Sequence, residues 1–82
     1  MQDTKEKELM LKFLNRNYPV HRIKNNMRFK RTIILENGES YILSDKKNTK
    51  ELYNRLIEIL KTVFSTTEEV NKDVLKNFLN LK

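Results

Sequence analysis

The chain predicts an α+β fold: a three-stranded antiparallel meander with helices packed on one face, in the order α-β-β-β-α-α. Three observations predict it. Apolar residues recur at helical spacing near both ends of the chain. Between them, residues alternate apolar and polar from Met27 to Glu36 and again from Glu39 to Ser44. Asn37-Gly38 joins those two alternating runs, and both residue types tolerate the positive φ that a tight hairpin requires.

Each element follows from local chemistry. Asp3-Thr4-Lys5-Glu6 has the form of a helix start, an acceptor at the cap with a carboxylate three residues on. Leu9, Met10, Phe13 and Leu14 supply an apolar stripe, and Tyr18-Pro19 ends the helix. Tyr18 to Lys24 reads as a first strand and Asn25-Asn26 as a turn. Met27 to Glu36 is the second strand and Glu39 to Ser44 the third. A two-residue type I′ turn at Asn37-Gly38 sets Glu36 opposite Glu39, Ile34 opposite Tyr41 and Ile33 opposite Ile42. Asn48 caps the next helix with Glu51 three positions later, and Leu52, Leu56, Ile59, Leu60 and Val63 form its stripe. Ser65 to Glu69 is a break and a second cap. Val70, Val74, Leu75 and Phe78 stripe the last helix. The expected core holds Phe13, Phe29, Ile33, Leu56, Leu60 and Phe78.

Eighty-two residues make one domain, residues 1–82, with room for one small core. The chain has no cysteine, hence no disulfide framework and no thiolate metal site, which suits a reducing compartment. No apolar run is long enough to span a bilayer, and the charged N-terminus lacks the apolar stretch of a signal peptide. The expected location is the cytoplasm. Asn, Lys and Ile are abundant, a bias common in AT-rich genomes, those of many phages among them.

The residues of chemistry are sparse. His21 is the one histidine and has no carboxylate or second ligand near it in sequence, so no metal and no cofactor are expected. The one glycine belongs to the hairpin, not to a phosphate-cradling loop. The carboxylate pairs Glu6/Glu8 and Glu68/Glu69 fall at helix starts, where the macrodipole favours them. Ser and Thr cluster at caps with no companion base. The expectation is a protein that binds rather than catalyses.

Charge says where. Leu9 to Leu35 contains seven Lys or Arg residues (Lys12, Arg16, Arg22, Lys24, Arg28, Lys30 and Arg31) and no Asp or Glu. The net charge is +6, so the rest of the chain sums to −1. One region faces something negative. In the register above, Met27, Phe29, Ile33, Leu35 and Ile42 share the core face. Arg28, Lys30, Thr32, Ile34, Tyr41 and Leu43 share the other. Arg31 falls on the core face as a misfit, marking a sheet end or a bulge. The candidate contact residues are Arg22, Lys24, Arg28, Lys30 and Tyr41, for a macromolecular partner with an anionic surface. Cations beside an aromatic suit phosphate contact with base stacking. They equally suit a protein interface with an acidic rim, or a solvated strand face whose charges prevent edge pairing.

Two resemblances bear on these readings. Ser44-Asp45-Lys46-Lys47-Asn48-Thr49-Lys50-Glu51 is similar to the basic start of the second helix in double-stranded RNA-binding domains, where lysines grip phosphates across a groove. That likeness covers roughly Glu8 to Phe64; the alanines and glycines of that family's pattern are missing. Thr32 to Ser44, followed by a polar turn, Asn48 and an amphipathic helix, resembles the small phage anti-CRISPR proteins that inhibit type II CRISPR effector nucleases. The shared residues are chiefly Asn37, Gly38, Tyr41 and Ser44. One such inhibitor has the same α-β-β-β-α-α order but is acidic and imitates DNA. The resemblance therefore implies a scaffold and a phage context, not that surface chemistry. Three functions are expected in order. The first is a non-enzymatic phage or mobile-element protein that inhibits or modulates a nucleic-acid-handling protein or ribonucleoprotein by stoichiometric binding. The second is direct DNA or RNA binding through the basic strands. The third is a homo-oligomer or partner subunit docking through Val70, Val74 and Phe78 of the last helix.

Overall fold

A computed structural model describes the backbone of residues 2–80 and the side chains of residues 5–80 except Asn25. Its elements are α1 (Gln2–Asn17), β1 (Val20–Asn25), β2 (Arg28–Ile34), β3 (Ser40–Ile42), α2 (Lys46–Phe64) and α3 (Glu68–Leu79). The α+β order α-β-β-β-α-α is the one the sequence predicts. The sheet is an antiparallel meander, β1-β2-β3.

The helix ends follow from their caps. α1 is already formed at Gln2, one residue before the expected cap at Asp3, whose side chain lies outside the described residues. Asp45, not Asn48, caps α2: its carboxylate accepts from the backbone N–H groups of Lys47 and Asn48 at 2.9 and 3.2 Å. Asn48 instead accepts from the Ile42 N–H at 3.1 Å, occupying a donor of the edge strand β3. Ser65 closes α2 in the left-handed region at φ 50°. Thr67 caps α3, accepting from Val70 N–H.

The core forms where α1, α2 and α3 meet the near end of the sheet. Met10, Leu14, Ile33, Leu52, Leu56, Leu60, Val74 and Leu75 are fully buried, and Tyr18, Leu35, Tyr41 and Phe78 nearly so. Leu9 and Val63, expected on helix stripes, are exposed, and Ile57 takes a buried place instead. Phe13 is half-buried, edge-on to Tyr18 and Phe64. Of the six expected core residues, Phe29 is the one on the surface.

The reason lies in the hairpin. Asn37-Gly38 does not form a two-residue turn. Gly38 N–H donates to the Leu35 carbonyl at 2.9 Å, and Leu35 N–H donates to Glu39 at 2.8 Å, closing a three-residue loop over Glu36, Asn37 and Gly38. Gly38 alone in this loop has positive φ, +89°, which is the type I turn with a bulged glycine. The register therefore moves by one: Ile33 pairs with Tyr41, Thr32 with Ile42 and Ile34 with Ser40. A one-residue slip carries the whole strand to the other face. Tyr41 lies on the core side at 5% exposure, and Ile42 on the outer side.

Asn37, Tyr41 and Arg55 hold this loop through Glu39. Asn37 Nδ2 donates to Glu39 Oε1 at 2.6 Å, and Glu39 N–H donates back to Asn37 Oδ1 at 3.0 Å. The Tyr41 hydroxyl donates to the other Glu39 oxygen, and Arg55 of α2 stands 3.5 Å from the carboxylate. The bonds from Tyr41 and Asn37, with Arg55 nearby, hold the Glu39 carboxyl below the usual carboxylate range. The Tyr41 phenol is pushed up in turn, first by its bond to Glu39 and then by burial.

Candidate nucleic-acid interface

β1 and β2 pair along their whole length, Val20 with Ile33 through to Asn25 with Arg28. The turn is Asn26-Met27, one residue later than expected, with Asn26 at φ 61°. Helix contacts fall on the near end of the sheet, α2 against β3 foremost. Toward its turn the hairpin is exposed on both faces: Met27 is 94% exposed, Phe29 59% and Ile23 43%. The molecule measures 46 × 26 × 22 Å.

Pairing assigns every hairpin side chain to a face. Directly opposed residues point the same way, and residues two apart on a strand share a face. Arg22, Lys24, Phe29 and Arg31 therefore share the face that carries Ile33 and Tyr41 nearer the helices. His21, Ile23, Arg28, Lys30, Thr32, Ile34 and Ile42 share the other.

Of the five candidate residues, four surround the far hairpin, two per face: Arg22 and Lys24 on one, Arg28 and Lys30 on the other. The structure does not bring Tyr41 to them. The shifted register buries it behind the loop, so the expected grouping of Tyr41 with Arg28 and Lys30 is corrected. Two residues join instead. Phe29 is the exposed aromatic, and the Arg22 guanidinium lies over its ring, 5.1 Å from the centroid. Arg31, the misfit of the alternation, faces Arg22 directly across the strands. That misfit is the signal that could have found the site: a cation at a core-phase position marks where the core stops.

The electrostatics are one-sided. Like charges directly opposed across a sheet are unfavourable to folding, yet Arg22 and Arg31 are paired so, with Lys24 opposite Phe29. Among the described residues, none of Arg22, Lys24, Arg28, Lys30 or Arg31 is in an ion pair. The ion pairs present are elsewhere, such as Lys7–Asp73 at 3.0 Å between α1 and α3. An open cleft of about 490 Å³ adjoins the hairpin, lined by Arg28, Phe29, Lys30 and Arg31 of β2 with Leu43, Ser44, Leu79 and Asn80. A larger cleft, of about 570 Å³, lies elsewhere. It lies between the end of α1, the Glu36–Gly38 loop and α2, and holds Glu36 and Glu58 against one cation among the described residues, Arg55, which suits an anionic partner poorly.

Other expected features find their places. Lys46, Lys47 and Lys50 are exposed on the opening turns of α2. Val74 and Phe78 are buried in the chain's own core, so the last helix does not offer them to a second chain. Among the described residues no cluster of His, Asp and Glu is arranged to hold a metal ion, and no helix is long and apolar enough to cross a membrane. No family model, no curated protein and no solved structure matches the chain.

Proposed function

We propose that this protein works by stoichiometric binding, not catalysis, and that its β1–β2 hairpin is an arm that engages nucleic acid, free or within a ribonucleoprotein. The observation that carries the reading is the Arg22–Arg31 pair. Two arginines with no carboxylate partner among the described residues oppose each other across the strands, with Lys24 beside them, and this like-charge arrangement costs the fold stability. A polyanion offsets that cost when bound. A protein surface with scattered carboxylates would not need cations on both faces of a projecting ribbon; a phosphate backbone, charged along its length, meets both.

By occupying nucleic acid that another protein must reach, such an arm inhibits or modulates the machinery that handles it. The pattern shared with anti-CRISPR proteins supports that role and a phage or mobile-element setting. The absence of cysteine is in keeping with a cytoplasmic site of action.

Titration of labelled oligonucleotides tests the contact, and affinity capture from a bacterial lysate with and without nuclease tests the role. A hairpin acting on phosphates gives binding that weakens steeply with salt, by about 0.7–0.9 in log K per neutralised phosphate per decade. Capture that survives nuclease and high salt would mean that a protein surface is the target.

A further inference from the structure

Resting on the hairpin as a nucleic-acid-contacting arm, we propose that its Phe29 face is a single-strand site: an unpaired base stacks on the Phe29 ring while Arg22, Lys24 and Arg31 hold the neighbouring phosphates.

Burial does not account for the place of Phe29, whose one aromatic contact among the described residues is with the Arg22 guanidinium. Phe29 is 59% exposed at the second residue of β2, next to the Asn26-Met27 turn, and it lines an open cleft that Leu79 and Asn80 at the end of α3 also line. Its surroundings are cationic. Arg22 lies 5.1 Å from the ring centroid, Lys24 is directly opposite, and Arg31 is two residues along the same face. Every base has a π-face, and aromatic rings interleaved with cations bind single strands whatever their sequence. In a duplex those π-faces are stacked on one another, so it offers Phe29 only backbone and groove edges.

The outer face of the hairpin makes the contrast. Arg28 and Lys30 lie there with Ile23, Thr32 and His21, and no Phe, Tyr or Trp. That face attracts phosphates without telling one strand from two.

The Phe29 face also leads somewhere. Leu43 and Ser44, which line the cleft beside Phe29, line a second open cleft with Lys46, Lys50 and Tyr53. A strand stacked at Phe29 thus has a route past Ser44 to the lysines of α2 and to a second, half-buried aromatic.

The test is fluorescence anisotropy of the full chain with oligo-dT, oligo-U and an oligo-dA·oligo-dT duplex of the same length. The single strands bind more tightly than the duplex. Phe29→Ala weakens single-strand binding by about fivefold to a hundredfold and leaves duplex binding unchanged, while Phe29→Tyr restores the wild-type preference. Arg28→Glu with Lys30→Glu weakens both forms by the same factor. Circular dichroism of each variant verifies that it folds. The chain has no tryptophan, so Phe29→Trp adds one reporter at the site; its emission falls with oligo-dT or oligo-U and not with duplex. Whichever strand gives the Phe29-dependent binding names the nucleic acid. If Phe29→Ala binds single strand and duplex as the wild type does, the stacking site is overturned while the basic arm stands. If no oligonucleotide binds the wild type at low salt, both fall.

Discussion

Ile33 and Phe29 lie on the same face of the same strand, yet Ile33 is fully buried and Phe29 is 59% exposed. At the Ile33 end, Tyr41 pairs across the sheet and three helices close over the face. At the Phe29 end the neighbours are Lys24, Arg22 and Arg31. One strand thus does two jobs: its near half holds the fold together, and its far half extends a cationic surface beyond the core. Side-chain alternation decides which face a residue takes. The length of the helices decides whether that face is core or surface.

The widest gap is expected between alanine substitutions at the two ends. Ile33→Ala leaves a cavity among Leu52, Leu56 and the other buried residues and costs about 2–5 kcal/mol, enough to unfold much of so small a domain. Phe29→Ala loses a partly exposed ring and one cation–π contact, about 1 kcal/mol or less. Urea denaturation of both variants checks this, and equal losses would mean that the far hairpin is part of the core.

Next in size is the loop that sets the register. Gly38→Ala places a side chain at φ +89° and costs about 1–2 kcal/mol. No atom lies within 4 Å of the added Cβ, so the cost is backbone strain and not collision. Gly38→Asn, which tolerates the left-handed region better, loses less in the same melting experiment.

This loop also marks how far the sequence could be read. Asn37-Gly38 announced a hairpin between the right two strands, and the order of all six elements was legible from periodicity and turn residues. The register was not. A two-residue type I′ turn and a three-residue loop with a bulged glycine both accept Asn-Gly; they differ in whether Asn37 takes positive φ, and here it does not. The longer loop lets Tyr41 pack beside Ile33 while its hydroxyl reaches Glu39. Those are tertiary gains that no local pattern records. The candidate site was half legible for the same reason. Charge concentration located the hairpin and four of its cations, but the face assignment, one residue out of phase for β3, exchanged Tyr41 for Phe29 as the exposed aromatic.

A smaller effect has the opposite sign. Arg31→Glu turns a like-charge cross-strand pair into an attractive one, and stability rises by about 0.2–1 kcal/mol while binding to an anionic partner falls. A site that gains stability as it loses affinity was selected for binding. If the same substitution destabilises, Arg31 is a folding residue.

The least effect concerns pH. The folded Glu39 carboxyl is held below its ordinary value, so its share of stability is present above the unfolded carboxylate pKa and fades as pH falls through the folded one. The Tyr41 phenol is raised, so its share is present below the ordinary phenol pKa and fades as alkaline pH passes the folded value. Tyr41→Phe removes the larger cause of both shifts. Its stability deficit relative to the wild type is therefore greatest near neutrality and narrows toward both extremes, as melting temperatures across pH report.

The far hairpin as a phosphate-binding arm is tested most directly by the salt dependence of single-strand binding in three proteins: wild type, Arg22→Glu/Arg31→Glu, and Lys72→Glu/Lys76→Glu on α3. Lys72 stands 3.7 Å from Glu68 and belongs to a face where charges balance, so the last pair is the control. The hairpin variant is expected to lose most of its affinity and to flatten the plot of log K against log salt by about 1.4, two phosphate contacts at roughly 0.7 each, while the α3 variant keeps the wild-type slope. Equal slopes in all three proteins would contradict the account, because the concentrated charge of the hairpin would then bind nothing that the rest of the surface does not.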